Sequence, residues 1–141
     1  MRIFSIILAD DEPNILYGMQ KGIDWESLGF SVVGTAQNGK EVLDMMDEFH
    51  PDLVISDIKM PFMDGLELAK VVRRTMPWLR IVFLSGHDEF EYAQKAVSLH
   101  ADAYLLKPVS SAQLLETLGQ VAEQIEQEQQ QLRSEGANSR S

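Results

Sequence analysis

Groups able to do chemistry sit at the ends of short apolar runs. Asp10 and Asp11 follow FSIILA, Asp57 follows LVIS, Ser85 follows RIVFL, and Lys107 follows AYLL. Taken singly, each fits a plain structural role: an acidic pair at a helix start, a Ser-Gly turn, a Lys-Pro loop. Their coincidence is the signal. In an open sheet of parallel strands all the carboxyl ends open on one edge, and ligands bind there. Three carboxylates, a hydroxyl and an amine then converge on one shallow pocket.

Such a pocket is electrostatically unbalanced. At roughly 5 Å and an effective dielectric near 20, each pair of carboxylates repels by about 3 kcal/mol. Lys107 supplies one compensating charge, and a hard divalent cation supplies the rest. Mg²⁺ suits the site, because it takes a few carboxylate or carbonyl oxygens and keeps several waters. A cation, an amine and a hydroxyl beside a free carboxylate form a phosphoryl-binding arrangement, since in-line transfer needs little beyond positioning and charge neutralisation. Carboxylates are competent nucleophiles that form aspartyl phosphates. The pattern predicts that Asp57 accepts a phosphoryl group.

The elements that must position these groups are legible from periodicity. Five short β-rich runs alternate with helical spacing, the pattern of a βαβ succession and a parallel sheet. The strands are expected at FSIILA, SVVGTA, LVIS, RIVFL and AYLL. Between them, Ile15, Leu16 and Met19 mark a helix with Pro13 in its first turn. Val42, Leu43, Met46 and Phe49 mark a second, after Asn38-Gly39. Leu66, Leu68, Ala69, Val72 and Arg73 mark a third, stopped at Met76-Pro77. Phe90, Ala93, Ala96 and Val97 mark a fourth. The last helix, capped by Ser110 or Ser111, carries Leu114, Leu115, Leu118, Val121, Ala122 and Ile125. Leu118, Ile125 and Leu132 are spaced by seven, a thin coiled-coil seam through a Glu- and Gln-rich stretch. The closing SEGANSRS has tail composition and is expected to be disordered.

Composition narrows the function. The chain has 141 residues, 45% of them hydrophobic, which suits one domain with a core and a short tail. We expect residues 1–125 to form that domain and 126–141 a helical extension and tail. The absence of cysteine excludes a disulfide framework and a thiolate metal site. No apolar run approaches the ~20 residues that span a bilayer, and the N-terminal apolar patch is too short for a signal peptide, so a cytoplasmic location is expected. The net charge of −10 argues against direct binding to nucleic acid or to an anionic membrane, and favours cations and basic protein surfaces.

In combination and in order, ILADDEP, LVISDIKMPFMDG, VFLSGHDEF and AYLLKPV resemble the receiver domain of two-component response regulators, over about residues 2–125. The resemblance implies a flavodoxin-like, doubly wound five-stranded parallel sheet of order 2-1-3-4-5. It implies that Asp57 is the phosphoacceptor, with Asp11 a direct Mg²⁺ ligand, Asp10 acting largely through water, and the Lys59 backbone carbonyl a third protein ligand. Lys107 then pairs with phosphoryl oxygens, Ser85 bonds one of them, and Tyr104 is the switch aromatic that turns inward. Pro108 follows the lysine, commonly in a cis bond, and Lys59 and His87 are the positions that tune dephosphorylation. The implied phosphodonor is a sensor histidine kinase. The implied output surface is the face of the fourth helix, fifth strand and last helix, a candidate homodimer face along with the tail helix.

GIDWESLGFSVVGTAQNGKE and LSGHDEFEYAQKAV resemble the branch whose receiver precedes an AraC-type helix-turn-helix domain. That output domain is absent from this sequence, which is read as a receiver cut from a longer regulator or, alternatively, as a stand-alone single-domain regulator. A phosphatase of the haloacid-dehalogenase kind also uses a strand-end aspartate with Mg²⁺. It needs a second carboxylate where Lys59 stands, and a cap insertion for which there is no sequence. The chain is therefore expected to be a switch that modifies itself and not an enzyme with turnover. A dimerisation module acting through Leu118, Ile125 and Leu132 is the remaining reading.

Overall fold

The computed structural model describes residues 3–86 and 90–138. Strands β1 (Phe4–Ala9), β2 (Phe30–Ala36), β3 (Leu53–Asp57), β4 (Arg80–Ser85) and β5 (Ala103–Leu106) form one sheet in the order β2-β1-β3-β4-β5. Every neighbouring pair is parallel. Helices α1 (Pro13–Gly22), α2 (Gly39–Phe49), α3 (Gly65–Thr75), α4 (Phe90–Ser98) and α5 (Ser111–Asn138) connect and cover the strands. This is the flavodoxin-like doubly wound fold with the expected strand order.

Alternation along the strands divides the core into two layers. Phe4, Ile6 and Leu8 of β1, with Leu53 and Ile55 of β3, pack beneath Leu16 of α1 and Leu114, Leu118, Val121 and Ile125 of α5. Ile7, Ala9, Val54, Ile81 and Phe83 face the other way, against Val42 and Met46 of α2, Leu68, Ala69 and Val72 of α3, and Ala96 of α4. The inner strands β1, β3 and β4 are buried along nearly their whole length, which is why they read as unbroken apolar runs.

The helix starts are fixed by their own side chains. Asn38 accepts from the Glu41 N–H at 2.9 Å, and Asp64 accepts from the Glu67 N–H at 2.8 Å. Ser110, not Ser111, caps α5: its hydroxyl accepts from the Gln113 N–H at 3.1 Å while the Gln113 side chain accepts from the Ser110 N–H at 3.2 Å. That reciprocal pair is a capping box.

Several local expectations change. Leu118 and Ile125 are buried in the α1–α5 layer, so the heptad seam is a core stripe of this domain. Leu132 alone of the three is exposed. The helix runs to Asn138, five residues into the stretch expected to be a tail. Glu, Gln, Leu and Arg are good helix formers over 126–133, and Glu135 and Ala137 continue the helix past them. Val97 is exposed, because its neighbour Ala96 takes the core-facing position of the short α4. Phe90 and Ala93 lie outside the side chains the structure describes, and His87 lies outside the described residues altogether.

Candidate phosphoacceptor site

Strand register places the site residues side by side. Ala9 pairs with Ser56, so Asp10 and Asp57 are the next residues on adjacent strands. Asp57 pairs with Leu84, and Ser85 with Leu106, so Ser85 and Lys107 stand one step further along the same edge. The Lys107 N–H donates to the Ser85 carbonyl at 2.7 Å, which carries the β4–β5 pairing to the lysine itself. The structure thus brings Asp10, Asp57, Ser85 and Lys107 to the carboxyl ends of four strands, as the run ends imply.

The side chains converge. Lys107 Nζ lies 2.8 Å from Asp10 Oδ2 and 3.1 Å from Asp57 Oδ2. Asp10 is 0% exposed and Asp57 8%, whereas Asp11 is exposed. One carboxylate oxygen from each of Asp10, Asp11 and Asp57 falls within 4.8 Å of the other two. Backbone donors aim the two buried acids: the Glu12 N–H donates to Asp10 Oδ1 at 2.9 Å, and the Ile58 N–H to Asp57 Oδ1 at 2.8 Å.

The electrostatics follow from this packing. Burial raises the Asp57 pKa above its ordinary value; the bond and charge of Lys107 oppose that, the charge of Asp10 adds to it, and the Ile58 N–H opposes it. Burial alone lowers the Lys107 pKa, but its bonds to Asp10 and Asp57 and their charges outweigh that and leave it raised. Burial drives the first shift; in the second the two carboxylates outweigh burial, so the amine is held protonated by a pocket with an excess of negative charge. A further cation would relieve it. A hard cation holding oxygens at ~2.1 Å sets opposite ligands about 4 Å apart, so three carboxylate oxygens within 4.8 Å of one another need only small movements to share one. The donor set, all hard oxygen, fits Mg²⁺.

Two glycines let the loop 58–64 close over the strand ends. The Gly65 N–H donates to the Ile58 carbonyl at 2.8 Å, and a Cβ at Gly65 would stand 2.4 Å from the Asp57 carbonyl oxygen. The Gly39 N–H donates to the Met63 carbonyl at 2.8 Å, and a Cβ there would meet Met63 Cγ at 2.8 Å. Sequence reasoning missed Gly65 and the N–H groups of Glu12 and Ile58. Gly65 carried a signal: a glycine in the first turn of a helix is a poor helix former that calls for a packing reason. Backbone donors leave no such trace.

Other expected positions take their places in the fold. Ser85 is fully buried. Tyr104 is half-buried on β5, opposite Phe83, packed against the α2–α4 layer. Lys59 is exposed in the loop after β3. The Lys107–Pro108 peptide is cis.

Comparison with known proteins settles the family. Residues 6–119 match the model for the response regulator receiver domain. The chain belongs to that family. It is 44% identical over 126 residues to the uncharacterized transcriptional regulatory protein YesN of Bacillus subtilis, an alignment covering 89% of this chain and 34% of YesN. It is 34% identical over 129 residues to the transcriptional regulatory protein HptR of Staphylococcus aureus, covering 92% of this chain and 50% of HptR. The receiver thus spans a third to a half of the length of these relatives. Among solved structures, the REC domain of AraT, a response regulator from Geobacillus stearothermophilus, superposes with a TM-score of 0.84 at 39% identity, covering 90% of this chain and 98% of that one. A receiver domain protein from Clostridium thermocellum gives 0.79 at 28% identity, over 88% and 98%.

Proposed function

We propose that this receiver is a phosphorylation-controlled switch in which Asp57 takes a phosphoryl group from a histidine of a sensor kinase. The observation that carries the reading is Lys107 bonded to both Asp10 and Asp57 in a pocket that still carries excess negative charge. An Asp57 oxygen attacks phosphorus, the P–N bond to the histidine breaks, and its electron pair returns to the imidazole. Lys107 pairs with the phosphoryl oxygens, and Ser85 bonds one of them. Mg²⁺, held by Asp10, Asp11, Asp57 and the Lys59 carbonyl, would neutralise charge developing on those oxygens. Lys59 and His87 tune access of water to the acyl phosphate.

Phosphate at Asp57 shifts an existing equilibrium of Ser85 and Tyr104, and the α4–β5–α5 face, with Pro108 between β5 and α5, reads it out. Val97, Leu106 and Leu115 are exposed there, which supports its use as a contact or dimer surface. Residues 1–125 form the phosphoacceptor unit, and the α5 extension beyond them links it to an output region. The names of YesN and HptR support a transcriptional output, and the resemblance noted above supports an AraC-type one that binds DNA in place of this acidic domain. A cytoplasmic location agrees with the lack of cysteine and with the finding that no helix among the described residues is long and apolar enough to cross a membrane.

Intact mass spectrometry with acetyl phosphate and Mg²⁺ tests the reading. The wild type should gain one phosphoryl group, and Asp57→Asn should gain none. An unmodified wild type would refute it.

A further inference from the structure

Between Asp57 and α3 the loop contains a backbone outlier. Phe62 has φ 67°, in the left-handed region that a bulky side chain seldom adopts. The Met63 N–H donates to the Pro61 carbonyl at 2.7 Å. A bond of that span around a central residue of positive φ defines the rare, strained form of γ-turn. The turn is held from both sides, by Gly39 on the Met63 carbonyl and Gly65 on the Ile58 carbonyl. Strain of this kind persists where the surroundings over-determine it. The side chain so placed packs on almost nothing: Phe62 is 90% exposed, more than any other large hydrophobic residue described. Glycine would remove the strain, and a polar residue the apolar exposure. Phenylalanine does neither, so folding gives no reason for it.

We propose that Phe62 is the apolar anchor through which the protein carrying the phosphohistidine recognises this chain, seating in a hydrophobic recess beside the reactive histidine. The inference rests on the phosphoacceptor reading. Asp57 is only 8% exposed, so a protein donor must bring its histidine down onto the sheet edge, against a loop that begins at Asp57 and is pinned at both ends. Pro61 is exposed and Met63 half-buried, so the loop presents a small apolar tip beside the charged groups of the strand ends. A second copy of this chain has no need to approach Asp57. A small-molecule donor enters the pocket without meeting the tip. Exposed aromatic groups that become buried on binding are the usual centres of interface affinity, and a tip already clamped loses little freedom on docking.

The test compares two donors across two variants. Phe62→Gly removes both ring and strain; Phe62→Ala removes the ring and keeps the strain. Phosphoramidate, a small P–N donor, is used with Mg²⁺. The protein donor is the fastest among a panel of purified, autophosphorylated histidine kinases from the genome that encodes this chain. In both variants transfer from the kinase should fall about ten-fold or more in kcat/KM, through KM and not kcat, while labelling by phosphoramidate stays within about two-fold of wild type. Phe62→Gly should also melt at a higher temperature than wild type. Unchanged kinase transfer would overturn the proposal, as would a parallel fall with phosphoramidate. A panel with no donor for a wild type that phosphoramidate labels would also overturn it. So would a shift from dimer to monomer in Phe62→Gly by light scattering, which would assign the anchor to self-association. A wild type that phosphoramidate cannot label would instead overturn the phosphoacceptor reading beneath it.

Discussion

The two edges of the sheet hold charged clusters of opposite design. At the amino-terminal edge, Arg80 pairs with Asp102 at 3.1 Å and with Glu128 of α5. Asp102 also accepts from the Ile81 N–H at 2.7 Å. Arg73 bonds the carbonyls of Leu99, Pro77, Leu79 and His100 at 2.8, 3.2, 2.7 and 2.9 Å. Among the described residues, two guanidinium groups meet the carboxylates of Asp102 and Glu128 there, with Asp52 lining the same hollow as Arg80 and Glu128, so charge is close to balance. At the carboxyl-terminal edge, among the described residues, the carboxylates of Asp10, Asp11 and Asp57 cluster beside the single ammonium of Lys107. Both clusters are partly buried and hydrogen-bonded, so burial and bonding do not separate structure from function. Charge balance does. The nearly balanced cluster joins α3, the α4–β5 turn and α5 to the sheet; the unbalanced one is the site proposed to take a cation and a phosphoryl group.

That contrast predicts how each edge responds to mutation. Arg73→Ala should have the largest effect. It leaves several partly buried carbonyls without a charged donor, and should lower stability by about 3 kcal/mol in chemical denaturation while leaving phosphorylation of the folded fraction intact. A mild effect would mean that water replaces the guanidinium and that the lower edge is less structural than its geometry implies.

Asp57→Asn should act in the opposite direction. The Asp57 pKa is raised in the folded protein, chiefly by burial, so ionised Asp57 opposes folding. That penalty is absent below the unfolded-state value of 3.8 and grows as pH rises through the folded-state value. In metal-free buffer at neutral pH the variant should therefore melt above the wild type, and the gain should vanish below about pH 3.8. Lys107 keeps Asp10 as a partner throughout. A variant that melts lower at neutral pH would show that the Lys107 bond outweighs burial.

Glu128→Gln should do least. Glu128 is half-exposed, and such pairs contribute about 0–1 kcal/mol, so its melting curve should nearly overlay that of the wild type. A large loss would promote the Arg80–Glu128 contact to a main anchor of α5.

The sequence displayed the upper edge far better than the lower. Strand-end residues are bound to periodicity, so Asp10, Asp57, Ser85 and Lys107 were readable once the apolar runs were found. The lower edge depends on long-range partners that periodicity does not encode. Arg73 passed as one member of a helical stripe, although it reaches carbonyls 26 and 27 residues away. The Leu118–Ile125–Leu132 spacing was ambiguous for a physical reason: a core-facing helix stripe and a coiled-coil seam share nearly the same period, and only the packing of α5 on β1 and β3 decides between them. Phe62 was invisible as an outlier, because nothing in MPFMDG announces a positive φ at phenylalanine.

The most direct test of the charge-imbalance account is thermal melting with and without millimolar Mg²⁺, on the wild type and on Asp11→Ala. The cation binds the native pocket and not the unfolded chain, so at a hundred times its Kd it should stabilise the wild type by about 2.7 kcal/mol. Asp11→Ala should lose that response while being no less stable than wild type without metal. A wild-type melting temperature indifferent to Mg²⁺, or an Asp11→Ala protein that responds equally, would contradict the account.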